Sequence, residues 1–264
     1  GAPYLLPAPE RPFLTEVGRD PGRLRIGFTD RSPLGTPVDA ACARAVDDAA
    51  GLLERLGHDV ERAEPEIDGP GLADSYLAMY FGQTAADLRW IADRFGAGAA
   101  KKTELVTRAL ALIGEHYSAG DYVVARRRWN DFARAMGGFH ETYDLWLTPA
   151  LGAPPARIGE VQPSPLENVQ LETAVRLRAG GLLVAGGMVE QIANEHLART
   201  PFTQLANLTG QPAMSVPLWW TDDGLPLGVQ FVAPFGDEAT LFRLAAQLGA
   251  ERPWAGRRPP FTAA

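Results

Sequence analysis

The run Arg23-Leu24-Arg25-Ile26-Gly27-Phe28 alternates polar and apolar side chains, the period of a half-buried strand. Downstream, Thr36 stands as an N-cap with Pro37 at N1 and Asp39 at N3, a variant of the capping box that opens a helix. Val38, Ala41, Cys42, Ala45, Ala49, Leu52, Leu53 and Leu56 then recur at helical spacing, and Gly57 ends the run. His58 to Ala63 supplies the next strand. Strand, helix and strand in this order form a β-α-β unit, whose helix packs on a parallel sheet. The fold class is therefore α/β.

On the N-terminal side, residues 1–22 carry five prolines and little periodicity, and read as a connector that runs extended over a surface. On the C-terminal side, residues 71–143 are predicted as a helical layer in three segments, 72–95, 101–116 and 121–140. Its breaks fall at Gly96/Gly98 and at Ser118-Ala119-Gly120. Asp144 to Thr148 is a short apolar run ended by Pro149. The glycine pairs Gly180-Gly181 and Gly186-Gly187 make 163–199 a predicted pocket-lining loop. A short helix over 202–208 ends at Gly210, strands follow over 213–218 and 227–233 with a turn at 221–224, and Asp237 caps a last amphipathic helix bearing Leu241, Leu244, Ala245 and Leu248.

Composition narrows the function. The 264 residues hold 25 Lys+Arg against 32 Asp+Glu, a net charge of −7 that argues against nucleic acid as a partner. With 46% hydrophobic and 22% charged residues the chain is that of a soluble globular protein. The stretch 179–189, uncharged but holding four glycines between Arg178 and Glu190, is too short to span a bilayer, and no membrane segment is expected. Cys42 is the one cysteine, so a disulfide framework and a thiolate metal cluster are excluded, and a reducing cytoplasm is the expected compartment. Gly1-Ala2-Pro3-Tyr4 has neither an initiator Met nor a signal peptide's pattern, and reads as a chain that begins inside a longer one.

The chemistry-bearing residues do not add up to a catalytic set. None of His58, His116, His140 and His196 belongs to a paired metal-binding motif, so no metal is expected. His140 and Asp144 lie one turn apart and could act as a base with its orienter, but no nucleophile is adjacent, and a surface helix pair is the favoured reading. Ser215, in Ala213-Met214-Ser215-Val216-Pro217, lacks the flanking glycines of a nucleophile elbow, and its hydroxyl is expected to bond nearby backbone. Lys101 and Lys102, the only lysines, are read as solvated at the start of a helix, and Cys42 as a buried inert thiol. The glycine pairs match no phosphate loop, so no nucleotide and no other cofactor is expected.

Several runs, in order, resemble amidase signature enzymes: Arg23-Leu24-Arg25-Ile26-Gly27, Leu56-Gly57-His58-Asp59-Val60-Glu61, and Tyr143-Asp144-Leu145-Trp146-Leu147-Thr148-Pro149 followed by Ile158-Gly159. The strongest is Pro201-Phe202-Thr203-Gln204-Leu205-Ala206-Asn207-Leu208-Thr209-Gly210-Gln211-Pro212-Ala213-Met214-Ser215-Val216-Pro217, then Gly224-Leu225-Pro226-Leu227-Gly228-Val229-Gln230 and Gly236-Asp237-Glu238. The resemblance implies the C-terminal part of an α/β/α-layered domain with a mixed central sheet. In that family a serine, activated through a second serine by a neutral lysine, forms an acyl-enzyme with an amide. The glycine/serine-rich stretch and the lysine that supply this triad belong to an N-terminal half not found here, so no catalytic residue is assigned within residues 1–264. The resemblance further implies substrate contacts at Trp146, Thr148, Thr200, Phe202 and Asn207, although Asn207, Gly210 and Pro212 also fit a purely structural helix-to-strand turn. The neutral Thr200 favours a neutral or hydrophobic amide, and within the family the amidases of the 6-aminohexanoate cyclic-dimer hydrolase type are the most similar subgroup. The expected partners are a small amide and the missing N-terminal half or another copy of the chain. A non-catalytic binding or structural fragment derived from an amidase is the alternative.

Overall fold

The computed structural model describes residues 6, 8–195 and 197–258, with the backbone alone at 182, 190, 193 and 194. His196, and residues 1–5 and 7 of the expected connector, lie outside the described residues. A 3-10 turn at Phe13–Thr15 precedes β1 (Arg25–Phe28), α1 (Ala40–Arg55) and β2 (Asp59–Arg62). Helices α2 (Gly69–Phe95), α3 (Ala97–Ala100), α4 (Leu105–Gly114), α5 (Ala119–Arg127) and α6 (Trp129–His140) follow, then β3 (Leu145–Pro149). The remainder is α7 (Pro165–Leu177), α8 (Gly180–Ala185), α9 (Met188–Glu195), α10 (Thr203–Thr209), β4 (Ala213–Trp220), β5 (Pro226–Val232) and α11 (Glu238–Glu251). These group into two compact units, one of residues up to 67 with 133–155 and 200 onward, the other of 68–132 and 156–199.

The first unit is built on a five-stranded mixed sheet in the order β2-β1-β3-β5-β4. β1 runs parallel to β2 and β3, while β5 runs antiparallel to both β3 and β4. Strand alternation gives the sheet two faces of different character. One carries Ile26, Leu145, Leu147, Val216, Leu218, Leu227, Val229 and Phe231, all buried against Val46 and Leu53 of α1 and Leu244 and Leu248 of α11. Full burial of each such side chain is worth about 1.5–3 kcal/mol, so this face is the main stabilising layer. The opposite face carries Gly27, Trp146, Thr148 and Gln230. Here the C-terminal end of α6 approaches closely, and a Cβ at Gly27 would stand 2.6 Å from Cζ of Phe139, whose ring meets that of Trp146 edge-on at 6.4 Å. Helical layers on both faces make the unit α/β/α, as expected.

The second unit is helical. Its apolar centre brings α2 and α4 together around Leu72, Leu77, Phe81 and Ile113, all essentially inaccessible to solvent.

Three local expectations are corrected. Helix α1 is capped by Asp39, not Thr36: the Asp39 carboxylate accepts from the Ala41 N–H at 2.7 Å, and the Asp39 N–H is held by the Gly152 carbonyl at 2.8 Å. Thr36 instead pairs its hydroxyl with that of Ser32 at 2.8 Å. Lys101 and Lys102 follow the short α3 and do not begin a helix, because Glu104 is extended and α4 starts after it. The predicted loop over 163–199 is mostly helix. Ser164 and Glu167 form a complete capping box, with Pro165 in the first turn, and launch α7. That helix ends at Arg178, which takes the left-handed conformation at φ 53° usually filled by glycine.

Candidate functional site

On the second face of the sheet, the antiparallel registers align Thr148 of β3, Gln230 of β5 and Ser215 of β4 in one row across three adjacent strands. Thr148 is fully buried and Gln230 nearly so, while Ser215 is exposed. The Gln230 amide donates to the Phe202 carbonyl at 3.2 Å and reaches the Thr148 hydroxyl at 3.4 Å, and Thr148 Oγ1 in turn donates to the Pro149 carbonyl at 3.0 Å. Gly228 lies beside this row, and a Cβ there would meet Oγ of Ser215 unless that hydroxyl rotated away. The hydroxyl of Ser215 has no protein hydrogen bond among the described residues, which corrects the expectation that backbone groups satisfy it.

Helix α10 supplies the other wall. Phe202, its N-cap residue, is buried, and Gln204, the second residue of the helix, is buried and donates to Thr200 Oγ1 at 3.1 Å. Gln204 Oε1 and Trp146 Nε1 are both buried without a partner among the described residues. A buried acceptor and a buried donor left open on one face are costly unless something meets them. A bound polar molecule, or an additional segment of chain, could do so.

Of the five residues expected at the substrate, Trp146 and Thr148 lie buried on this face, Phe202 is buried and bonded to Gln230, and Thr200 is half-buried and bonded to Gln204. Asn207 does not join them. Its side chain is exposed, and the helix-to-strand turn is made by Gly210 at φ 74° and by Gln211, whose amide donates to the Ala233 carbonyl at 3.0 Å. The residues that motif reading overlooked are Gln204 and Gln230. Gln230 had a signal, being the one amide in the apolar run 227–233, and a polar residue at an inward strand position asks for a partner.

No nucleophile–base pair is assembled on this face. His140 and Asp144 are not paired: Asp144 accepts from the Arg25 N–H at 2.7 Å, while His140 Nδ1 donates to the Tyr143 carbonyl at 2.9 Å. Burial holds the imidazole below its usual pKa, against the opposing effects of the Tyr143 carbonyl and the charges of Asp144 and Asp237. Burial likewise pushes the Cys42 thiol up to about 11, with the Asp39 charge adding to it, so this thiol stays protonated and unreactive. Among the described residues no cluster of His, Cys, Asp and Glu is arranged to hold a metal ion. No helix of the described residues is long and apolar enough to cross a membrane.

The Amidase family model matches residues 2–242. The chain belongs to the amidase signature family. Among the amidase relatives, a Mycobacterium tuberculosis protein named AmiB2 is 35% identical over 263 residues, 98% of this chain and 50% of its own length. The 6-aminohexanoate-cyclic-dimer hydrolase of a Pseudomonas strain is 30% identical over 268 residues, again 98% of this chain and 50% of the relative. The solved structure of a 6-aminohexanoate cyclic dimer hydrolase complexed with substrate superposes with a TM-score of 0.80 at 27% identity, over 98% of this chain and 51% of that one. The chain spans about half the length of these amidases, and its mixed sheet with helices on both sides is the family's fold.

Proposed function

We propose that this chain is the C-terminal portion of an amidase that hydrolyses the C–N bond of a neutral or hydrophobic amide through a serine acyl-enzyme. The Ser-Ser-Lys residues lie on a segment N-terminal to residue 1. The observation that carries this reading is the polar row on the second face of the sheet. Thr148, Gln230 and Ser215 stand together there with unpartnered Gln204 Oε1 and Trp146 Nε1 nearby on the same side, and no base is in hydrogen-bond contact with Ser215 among the described residues. That is a wall that shapes and orients, supplied without the group that attacks. In this reading Trp146, Thr148, Thr200 and Phe202 line the amide pocket. Asn207, if it contacts substrate, does so from the surface.

Attack on an amide carbonyl needs a serine whose proton is taken by a nearby base and a pair of donors for the developing oxyanion. The chain's only lysines, Lys101 and Lys102, are exposed and belong to the other unit's own surface, so neither is a buried neutral base. The single buried Cys42 fits a reducing compartment, and we place the protein in the cytoplasm.

The test is hydrolysis of an aryl amide panel by the purified 264-residue chain, with and without a separately expressed N-terminal half from a close relative. Silence alone and turnover after the halves combine is the expected result. Turnover by the chain alone, abolished by Ser215→Ala, would overturn it. Silence with a stably assembled complex would instead support the alternative, a non-catalytic binding or structural subunit derived from an amidase.

A further inference from the structure

Helices α2, α4 and α7 of the helical unit line an open cavity of about 800 Å³. Ligand pockets are commonly about 300–1,000 Å³, so this one has room for a small molecule. Its walls follow from helical spacing. Leu88 and Arg89 on α2, Leu105, Arg108 and Leu112 on α4, and Val175 and Arg176 on α7 line it, Arg89 and Arg176 being exposed at its margin. Ala85 and Ala111 are buried in its lining, with half-buried leucines and Val175 around them.

The charge on the walls is not that of the chain. Five basic side chains line the cavity against the carboxylates of Glu115 and Glu172, in a protein of net charge −7. Arg89 and Arg178 share Glu115, each at 3.8 Å, a distance that leaves both guanidinium groups with unused donors. Lys101, Arg108 and Arg176 have no ion-pair partner among the described residues. Arg108 is the most telling, because its Nε is buried and has no hydrogen-bond partner among the described residues. A desolvated guanidinium N–H without an acceptor is unfavourable, and an anionic oxygen is the acceptor it fits best.

We infer that this cavity binds a single-chain amphiphilic carboxylate, its apolar tail on Leu88, Leu105, Leu112 and Val175 and its carboxylate held by Arg108 and Arg176. The planar guanidinium matches a carboxylate with two parallel donors, which distinguishes such a ligand from a neutral chain of the same length. The site lies wholly within the helical unit, and the inference is independent of the amide chemistry proposed above.

Calorimetric titration of the full chain with decanoate, decanol and decyltrimethylammonium, each below its micelle-forming concentration, tests it. Decanoate is expected to bind saturably at one site, decanol more weakly, and the cation not at all. Arg108→Gln and Arg176→Gln should each weaken decanoate about tenfold or more while leaving decanol unchanged, as expected when a charge-assisted hydrogen bond is lost. Arg176 is exposed, so its replacement keeps the test valid even where the Arg108 variant fails to fold. Equal affinity for decanoate and decanol, no saturable binding, or decanoate binding unchanged in Arg176→Gln would overturn the assignment.

Discussion

Gln230 shows how one polar side chain can serve both folding and a site. Its amide bridges β5 to the N-cap of α10 through the Phe202 carbonyl at 3.2 Å, in a region where both partners are buried. Gln230→Leu would keep the volume and remove the donor, leaving that carbonyl and the Thr148 hydroxyl without it. The expected loss is about 1–3 kcal/mol, the penalty for stranding a buried acceptor. Urea unfolding of the variant checks this, and an unchanged midpoint would mean that water or another donor already satisfies Phe202. The row that Gln230 belongs to was only half legible in the sequence. Motif comparison picks out Thr148, Thr200 and Phe202, but nothing in a linear motif says that Ser215 stands level with Thr148. That follows from two antiparallel registers, which link residues 67 positions apart in the chain.

At the scale of elements, the β-α-β opening and the last three elements were legible because their periodicities are clean and their caps are local. The helices α7 to α9 were not. Glycine pairs over 180–187 mask the helical pattern, whereas the decisive signal, Ser164-Pro165-Leu166-Glu167, lies just outside the glycine-rich stretch. Glu167 N–H donates to Ser164 Oγ at 3.3 Å and Ser164 N–H to the Glu167 carboxylate at 2.7 Å, and the Ser164 hydroxyl, then its N–H and the Gln191 amide, hold that carboxyl below its ordinary range against burial. Ser164→Ala should therefore cost about 1 kcal/mol and loosen the first turn of α7, seen as faster amide exchange there. The N-terminal segment carries a second such device. Glu16 is buried between Arg243 of α11, at 2.6 Å, and Arg11, at 3.1 Å, while Phe13 stacks on Phe242 at 5.3 Å. Burial alone would raise the Glu16 pKa, but the Arg243 hydrogen bond and charge, with Arg11 and Arg19, outweigh it and hold the carboxyl below its ordinary value. A carboxyl lowered in the folded state contributes stability that is present above its unfolded pKa and lost as pH falls through the folded one. Exchange around Phe13, corrected for intrinsic rates, is thus expected to rise severalfold in that acid range, and Glu16→Gln should give the same loosening at neutral pH. An acid-insensitive wild type would show that the aromatic stack alone holds the segment.

At the scale of the molecule, the sheet among the described residues ends at β4, and this end is what a partner must answer. Ala213 and Ser215 are exposed on it, Met214 and Pro217 half-buried, and the register breaks between Val216 and Trp219. A proline and an irregular register are devices that blunt a free edge, yet both sit in the second half of the strand and leave 213–216 unprotected. Beside that stretch lies the row of Thr148, Gln230 and Ser215, on the face that also carries the unpartnered Trp146 Nε1, so edge and face call for the same covering. A chain that spans half the length of its relatives has an obvious candidate in the other half, and a second copy is the substitute when that half is absent. We therefore expect the isolated chain to associate, with a weight-average mass that rises with concentration in sedimentation runs, and to bind hydrophobic dye. Addition of a relative's N-terminal half should convert the mixture to a defined complex and suppress the dye signal. A compact monomer at high concentration, dark to the dye, would mean that β4 and its neighbouring face are stable in water as they stand.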